Sequence, residues 1–408
     1  MNYKIISDLR MSTAFFWSLL FFGVASLLGL ALRLAFSFDF PDWFSFTNVR
    51  HTHSHLALLG WLFAAFVLAI IRIWKLDWNK FRNLYIMMQV AVLGMAVTFP
   101  FMGYAPASIL FTTMHLLLAY VLLIKIWRNA KRATGLSFLM LKTAIVFFFL
   151  STLGVWSLGP LMMMAKGSAM YYASVQWYLH FMFNGWMVFS LLAILFKWLE
   201  NHDCIYPRRR AKLFYFSLVI STILTFALAV TWSTPVDAIF YINSFAVLLQ
   251  LIAFVTLAKV IGPFRQYFES QMDRFGRNLL YVSLMALVLK VCMQAAVVLP
   301  TIAKVSYTIK NFVVGFIHLL MLGCLTLFLL AFASQYFTRK ISQTGTWVLI
   351  FGIVMTEFFL FYQGLMIWLG RGFLDHYYHL MSLGSVMLAV GVGWVAIYFY
   401  KQNRLFNE

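Results

Sequence analysis

Acidic residues are scarce in this chain: 12 Asp and Glu stand against 31 Lys and Arg in 408 positions, and charged residues of both signs make up only 11%. So little charge excludes a soluble fold of this length, since globular chains carry about a quarter of their residues charged. Cysteine is scarcer still. Cys204, Cys292 and Cys324 include no CxxC pair, which excludes a disulfide framework. What is present in quantity is apolar side chain: 63% of residues are hydrophobic and 44 are phenylalanine, so lipid rather than water must solvate the exterior.

A bilayer core of about 30 Å is crossed by about 20 apolar residues in helix. Twelve stretches meet that length, at 12–36, 52–74, 83–102, 106–127, 137–164, 170–198, 213–232, 236–258, 278–300, 309–334, 344–369 and 376–399. Short connections between them predict one all-α integral membrane domain over residues 1–408, with no soluble module. The first stretch is followed by Arg33, Asp39 and Pro41 rather than by a small-residue cleavage site, so it reads as a span and not as a signal peptide.

The surplus of positive charge, +19, could suit nucleic acid, but its distribution points to membrane topology instead. With the N-terminus inside, 23 Lys and Arg fall in inner segments, among them Lys75, Arg82, Lys131, Arg132, Arg208 to Arg210 and Arg404. Six fall outside: Arg33, Arg50, Lys166, Lys304, Lys310 and Arg371. Lys142 and Lys290 lie within spans. The positive-inside rule then puts both termini in the cytoplasm. Membrane lipid is the expected surroundings, and no nucleic-acid partner is called for.

Eight of the nine histidines fall in the outer half of this layout or near its midplane: His51, His53 and His55 in span 2, His115 in span 4, His180 in span 6, His318 in span 10, and His376 and His379 opening span 12. His202 lies in an inner loop beside Arg208 and reads as solvated. A single histidine in an apolar helix is usually satisfied by a neighbouring carbonyl or hydroxyl. Eight at one depth argue for metal chemistry, because ionisable groups within spans are costly and neutral imidazole is the commonest metal ligand. Three of them share a pattern: His55/Gly60, His180/Gly185 and His318/Gly323 each pair a histidine with a glycine five residues on. On an α-helix that glycine stands about 140° round from its histidine, which suits close helix packing rather than contact with a shared ligand. His51, His53 and His55 step by about 200° and cannot all face one cofactor. His376 and His379, three residues apart, share a face.

A histidine helix every fourth span, at 2, 6 and 10, resembles the catalytic subunit of the haem-copper oxidase superfamily, whose twelve helices form three pseudo-symmetric arcs of four. The likeness extends over nearly the whole chain. Leu28-Gly29-Leu30-Ala31-Leu32-Arg33 resembles the end of that family's first helix, where an arginine approaches the low-spin haem. His53-Ser54-His55-Leu56-Ala57-Leu58-Leu59-Gly60-Trp61 resembles the HxHxxxxGF signature of NnrS-type haem and copper membrane proteins of nitric oxide metabolism, and His318 with Gly323 is similar to their later HxxxxG. With no CxxCH present, the resemblance implies a noncovalent haem b, held by His53 or His55 and by His318, with Arg33 and Arg50 on its propionates. His180 matches the family's span-6 copper ligand and would, with His115 and His379, ligate copper or a second haem; three nitrogens suffice for copper. A bacterial inner membrane and an electron donor, protein or quinol, are implied in turn.

The departures define the expected chemistry. Span 7 has no histidine, span 10 has only His318, and Asn184 stands four residues after His180, where oxygen-reducing members often carry a tyrosine. A standard binuclear centre is therefore not expected, and two axial imidazoles suit electron transfer or haem sensing rather than gas reduction. Lys290 in span 9 and Glu357 in span 11 lie near the midplane. They read as a proton path, with Gln294, Tyr362 and Gln363 alongside, or as a mutually paired couple that fixes helix packing. The competing class is a twelve-span secondary transporter, since Asp273-Arg274-Phe275-Gly276-Arg277 resembles the D-R-x-G-R loop element of the major facilitators, or a histidine-lined metal permease. Against these, the loop between spans 2 and 3 lacks the element, and Glu357 is the one acid deep within a span, Asp237 standing at a span end, to line a cation path.

Overall fold

The computed structural model describes residues 3–130, 135–231, 233 and 236–402; Lys131, Arg132, Trp232 and Arg404 lie outside the described residues. Twelve of its helices are long and apolar enough to cross a membrane. In order these are span 1 Asp8–Leu34, span 2 Phe46–Ile73, span 3 Arg82–Met102, span 4 Pro106–Ala130, span 5 Leu136–Met164, span 6 Ala169–Asn201, span 7 Arg208–Val230, span 8 Asp237–Gln271, span 9 Arg274–Ala296, span 10 Lys310–Tyr336, span 11 Gln343–Trp368 and span 12 Tyr377–Lys401. Side-chain caps start several of them. Ser45, Ser168, Asp273 and Ser342 each accept a hydrogen bond from a backbone N–H in the first turn that follows, satisfying donors that the helix itself leaves unpaired.

Burial divides the spans into two classes. In the most apolar stretch of span 2, 89% of residues are buried; the figures are 78% for span 6 and 67% for span 10, and no other span exceeds 50%. Spans 2, 6 and 10 are therefore central and the other nine surround them, with one face to lipid. Within each group of four, the first span packs on the second and the third pairs with the fourth, and span 12 returns to span 1 to close the ring. The result is three arcs of four, each giving one helix to a three-helix centre. Polar links tie the central helices: Trp61 Nε1 donates to Thr326 Oγ1 at 2.9 Å, Arg72 Nε to Tyr336 O at 3.0 Å, and Asn201 Nδ2 to Ile73 O at 3.1 Å. Arg72 also pairs with Asp8 of span 1.

Each central helix changes pitch on the residue after its histidine. Leu56–Phe63, Phe181–Met187 and Leu319–Thr326 are π-helical, with α-helix on either side. A π-helical hydrogen bond spans five residues, the step from His55 to Gly60, from His180 to Gly185 and from His318 to Gly323. The angle of 140° assumed α pitch and is corrected here: the glycine stands one wide turn beyond its histidine. The glycines do serve close packing. A Cβ on Gly60 would lie 2.8 Å from Phe21 Cβ in span 1, one on Gly185 2.6 Å from Phe147 Cβ in span 5, and one on Gly323 3.3 Å from Ala286 Cβ in span 9. In all three arcs, then, the glycine admits the first helix of its own arc.

Candidate functional site

Spans 2, 4, 6 and 10 begin at the same end of the bundle, and His53, His55, His115, His180 and His318 lie about 11–17 Å below that end at 1.5 Å per residue. They share a depth but not a site. Their neighbours divide them into three groups around the central helices.

In the first group, between spans 2 and 10, His53 turns toward span 1, where its Nδ1 lies 2.8 Å from Ala25 O. A carbonyl can only accept, so Nδ1 carries the proton and Nε2 keeps a bare lone pair. One turn on, Gly29 lies under the ring, where a Cβ would be 2.9 Å from His53 Cε1. Arg33, a further turn along, is within electrostatic reach of His53 and His318, which also reach each other, and of Glu357 in span 11 and Tyr377 in span 12. Both carboxyl oxygens of Glu357 are buried without a hydrogen-bond partner among the described residues. Asn311 Nδ2 donates to the Tyr377 hydroxyl at 2.9 Å. His53 and His318 are half-buried, whereas His115 is 2% exposed.

The second group lies between spans 2 and 6. His55 Nδ1 is 2.8 Å from His51 O, and its ring packs on Phe99 at 4.5 Å. His115 is within electrostatic reach of His55, and its buried Nε2 has no partner among the described residues. Phe63 meets His115 edge-on at 5.5 Å and also packs against Trp186 of span 6 at 5.3 Å. Arg50 is exposed and acts on His51, so it stands apart from Arg33.

The third group lies between spans 6 and 10. His180 Nε2 is 2.7 Å from Thr222 O in span 7. Lys290 Nζ donates to Asn184 Oδ1 at 2.7 Å, lies over the Phe316 ring at 5.6 Å, and is within reach of His180 and Cys324.

Several expected associations are not formed. His115 and His180 belong to different groups, and His379 lies beside His376, with ring centroids 5.9 Å apart, where span 12 begins. Among the described residues no three His, Cys, Asp or Glu side chains come together as a metal site. Lys290 and Glu357 are not a couple, because each sits in a different group. Two residues gained a part that sequence reasoning did not give them: Asn184, marked only as the lack of a tyrosine, holds the buried ammonium, and Ala25 supplies the carbonyl that orients His53. The Asp273–Arg277 run has a local explanation. Asp273 Oδ2 accepts from Phe275 N at 3.1 Å and Gly276 N at 3.2 Å, Arg277 Nη1 donates to Glu269 O at 2.9 Å, and Gly276 lies against Ser334 and Gln335 of span 10.

No family model matches the chain, and no curated protein matches it. A solved structure of a heme-copper terminal oxidase dimer, determined by cryo-EM, is similar to it with a TM-score of 0.71 at 12% identity, over 97% of this chain and 84% of that chain. The fold is haem-copper oxidase-like. At that identity the likeness concerns architecture, and it sets aside the major facilitator arrangement. The haem-copper oxidase-like frame brings the first group together from spans 1, 2, 10, 11 and 12, five helices that the sequence separates by up to the whole length of the chain.

Proposed function

We propose that the protein is a membrane electron carrier of the haem-copper oxidase type, with one b-type haem held between His53 and His318 and without the binuclear centre at which such enzymes reduce gas. The observation that carries this reading is the way His53 is held. A ligating imidazole needs one nitrogen fixed by a hydrogen bond and the other bare. Ala25 O fixes Nδ1, Gly29 makes room for the ring, and His318 stands within reach on the facing helix. Arg33 has no ion pair among the described residues, which leaves its guanidinium for an anionic substituent such as a propionate. When bound, the haem would supply one-electron chemistry, and with His53 and His318 both holding the iron it would suit electron transfer. The chain's own part is to fix the two imidazole planes and to supply the compensating positive charge.

The residues present do not fit copper. His115 and His180 lie in separate groups, and at the third group Lys290 and Asn184 place an ammonium and an amide beside His180, where a metal would need further imidazoles. Span 7, Arg208–Val230, offers none. The HxHxxxxG run around His53 and His55 supports a setting in nitric oxide or respiratory metabolism. We assign one membrane domain over residues 1–408, in a bacterial inner membrane with both termini in the cytoplasm, on the 23-to-6 charge split.

Purified protein should show a low-spin b-type spectrum on reduction. His318→Ala should abolish it, and His180→Ala should leave it unchanged. A His318→Ala protein with unaltered haem content and spectrum refutes the axial assignment.

A further inference from the structure

In the third group, Lys290 carries a charge that no side chain among the described residues balances. It is 2% exposed, and its ammonium has one hydrogen-bond acceptor, Asn184 Oδ1 at 2.7 Å, and the face of Phe316. The titratable groups within its reach are His180 and Cys324, an imidazole and a thiol, neither of carboxylate strength. Spans 6 to 10 hold Asp or Glu only at Glu200, Asp237 and Glu269. Each stands near an end of its span, at least about 20 Å along the helix from the level of Lys290. Glu357 belongs to the first group, with Arg33. A buried charge is costly unless it is paired.

The surroundings of Lys290 are polar and unsatisfied. Asn243 Nδ2 of span 8 donates to Val297 O, just beyond the end of span 9, at 3.1 Å, and so fixes the register of these two antiparallel helices. Seven residues along from that contact stand Gln250 on one helix and Lys290 on the other, both about 10 Å below it. Gln250 is 3% exposed, and its Oε1 is buried without a partner among the described residues. The same holds for Oδ1 of Asn243 and for Oε1 of Gln294, one turn above Lys290. Buried polar atoms are nearly always hydrogen-bonded, to protein, to water or to a bound ion.

A way in exists from the histidine end of the bundle. Spans 6 and 10 are central helices, yet Ala169–His180 has no buried residue, and in Lys310–His318 only Gly315 is buried. Further along the same helices, Val188–Asn201 and Leu327–Tyr336 are mostly buried. The centre is therefore loosely packed down to the level of His180 and Lys290, and closed beyond it.

We infer that the third group binds one small monovalent anion, held by the Lys290 ammonium and by amide N–H groups of Gln250 and Gln294. A carboxamide carries two donors beside its oxygen and presents either by turning about its last bond. His180 gives the anion no donor through Nε2, which is committed to Thr222 O at 2.7 Å. One ammonium balances one negative charge and no more, so a divalent anion is excluded. The anion supplies the negative charge that spans 6 to 10 lack at this depth. Chloride, bromide, nitrite and formate belong to this class.

The test uses the full chain in lipid nanodiscs, held in gluconate, a larger anion, at fixed pH and ionic strength. It is titrated with each of the four anions while thermal unfolding is followed by tryptophan fluorescence. At least one should raise the melting temperature saturably, and calorimetric titration with that anion should give one site per chain. Lys290→Met should abolish binding, and Gln250→Leu should weaken it at least tenfold. Lys304→Met, at an exposed lysine, should leave it unchanged. His318→Ala should bind the anion as the wild type does, which separates this site from the haem reading. No saturable binding of any of the four to the wild type overturns the inference, as does binding that survives in Lys290→Met. If Lys290→Met does not fold, unchanged affinity in Gln250→Leu overturns it. Binding lost in His318→Ala while that protein still folds would place the anion in the first group, and overturns it equally.

Discussion

Replacing Gly29 by alanine should weaken haem binding and spare the fold. The added Cβ would lie 2.9 Å from His53 Cε1 and 3.2 Å from Nδ1. To regain ordinary carbon contact, near 3.5 Å, the ring must withdraw by about half an ångström. It is not free to do so, because Nδ1 is held 2.8 Å from Ala25 O. Loss of that hydrogen bond costs about 1 kcal/mol, and a ring forced about 30° off its rotamer costs about 0.5–1.5 kcal/mol more. The total of about 1.5–2.5 kcal/mol is about a 10- to 60-fold loss of haem affinity, at about 1.4 kcal/mol per tenfold. Alanine in a helix interior is itself favoured over glycine by about 1 kcal/mol, so thermal stability should hold. Gly23→Ala, on the same span, is the control, since a Cβ there meets nothing within 4 Å. The assay is haem titration of the purified apoprotein, followed at the Soret band. Equal affinity in both variants would show that His53 is not held as argued, and the first group would lose its ligand.

Three further outcomes are expected. Gly60→Ala and Gly185→Ala, whose Cβ would collide with a neighbouring Cβ at 2.8 and 2.6 Å, should each destabilise by about 1–3 kcal/mol. Gly323→Ala, with 3.3 Å available, should cost about 1 kcal/mol or less; equal melting shifts in detergent for all three would refute the packing account. Reporters active only inside should work after Lys131, Arg209, Arg274 and Glu408, and reporters active only outside after Asp42 and Lys304. An outward C-terminus would place the histidine end of the bundle at the cytoplasm instead. The reduced, purified protein should not consume oxygen or nitric oxide at the rate of a haem-copper reductase, because the haem proposed between His53 and His318 would leave no open position on iron. Rapid consumption that is lost in His180→Ala would overturn that expectation.

The twelve spans were legible because lipid demands long apolar runs, and most of their ends fall within two turns of those expected. The largest departure is at span 8, which runs on to Gln271 through the short helix Arg265–Gln271. The histidine–glycine repeat was visible too, but not its cause. Helical periodicity is read at 3.6 residues per turn, and a local change to π pitch leaves no mark in composition. The grouping of the histidines was illegible for a different reason. Depth follows from position along a span, whereas direction depends on which helices are neighbours, and that is a tertiary fact. Hence His115, His180 and His379 shared an expected role yet lie apart, and His53, rather than His55, is within electrostatic reach of Arg33 and His318. Within the run from Leu28 to Arg33, Gly29 lies under the His53 ring and Arg33 is within electrostatic reach of His53 and His318.

A π turn is an α-helix holding one residue more than it needs, so each central helix is two rods in different angular phase. Deleting one residue between Leu56 and Phe63 would return span 2 to α pitch and swing one rod against the other by about 100°. The rod Ala64–Ile73 is buried on nearly every side, with only Arg72 retaining appreciable exposure, and cannot turn. The histidine end would turn instead, carrying His53 away from Ala25 while leaving its depth almost unchanged. Spans 6 and 10 have the same build, so a single-codon deletion in any of the three would act as a rotation rather than a truncation, and the azimuth of every central histidine is set by a residue further along its own helix.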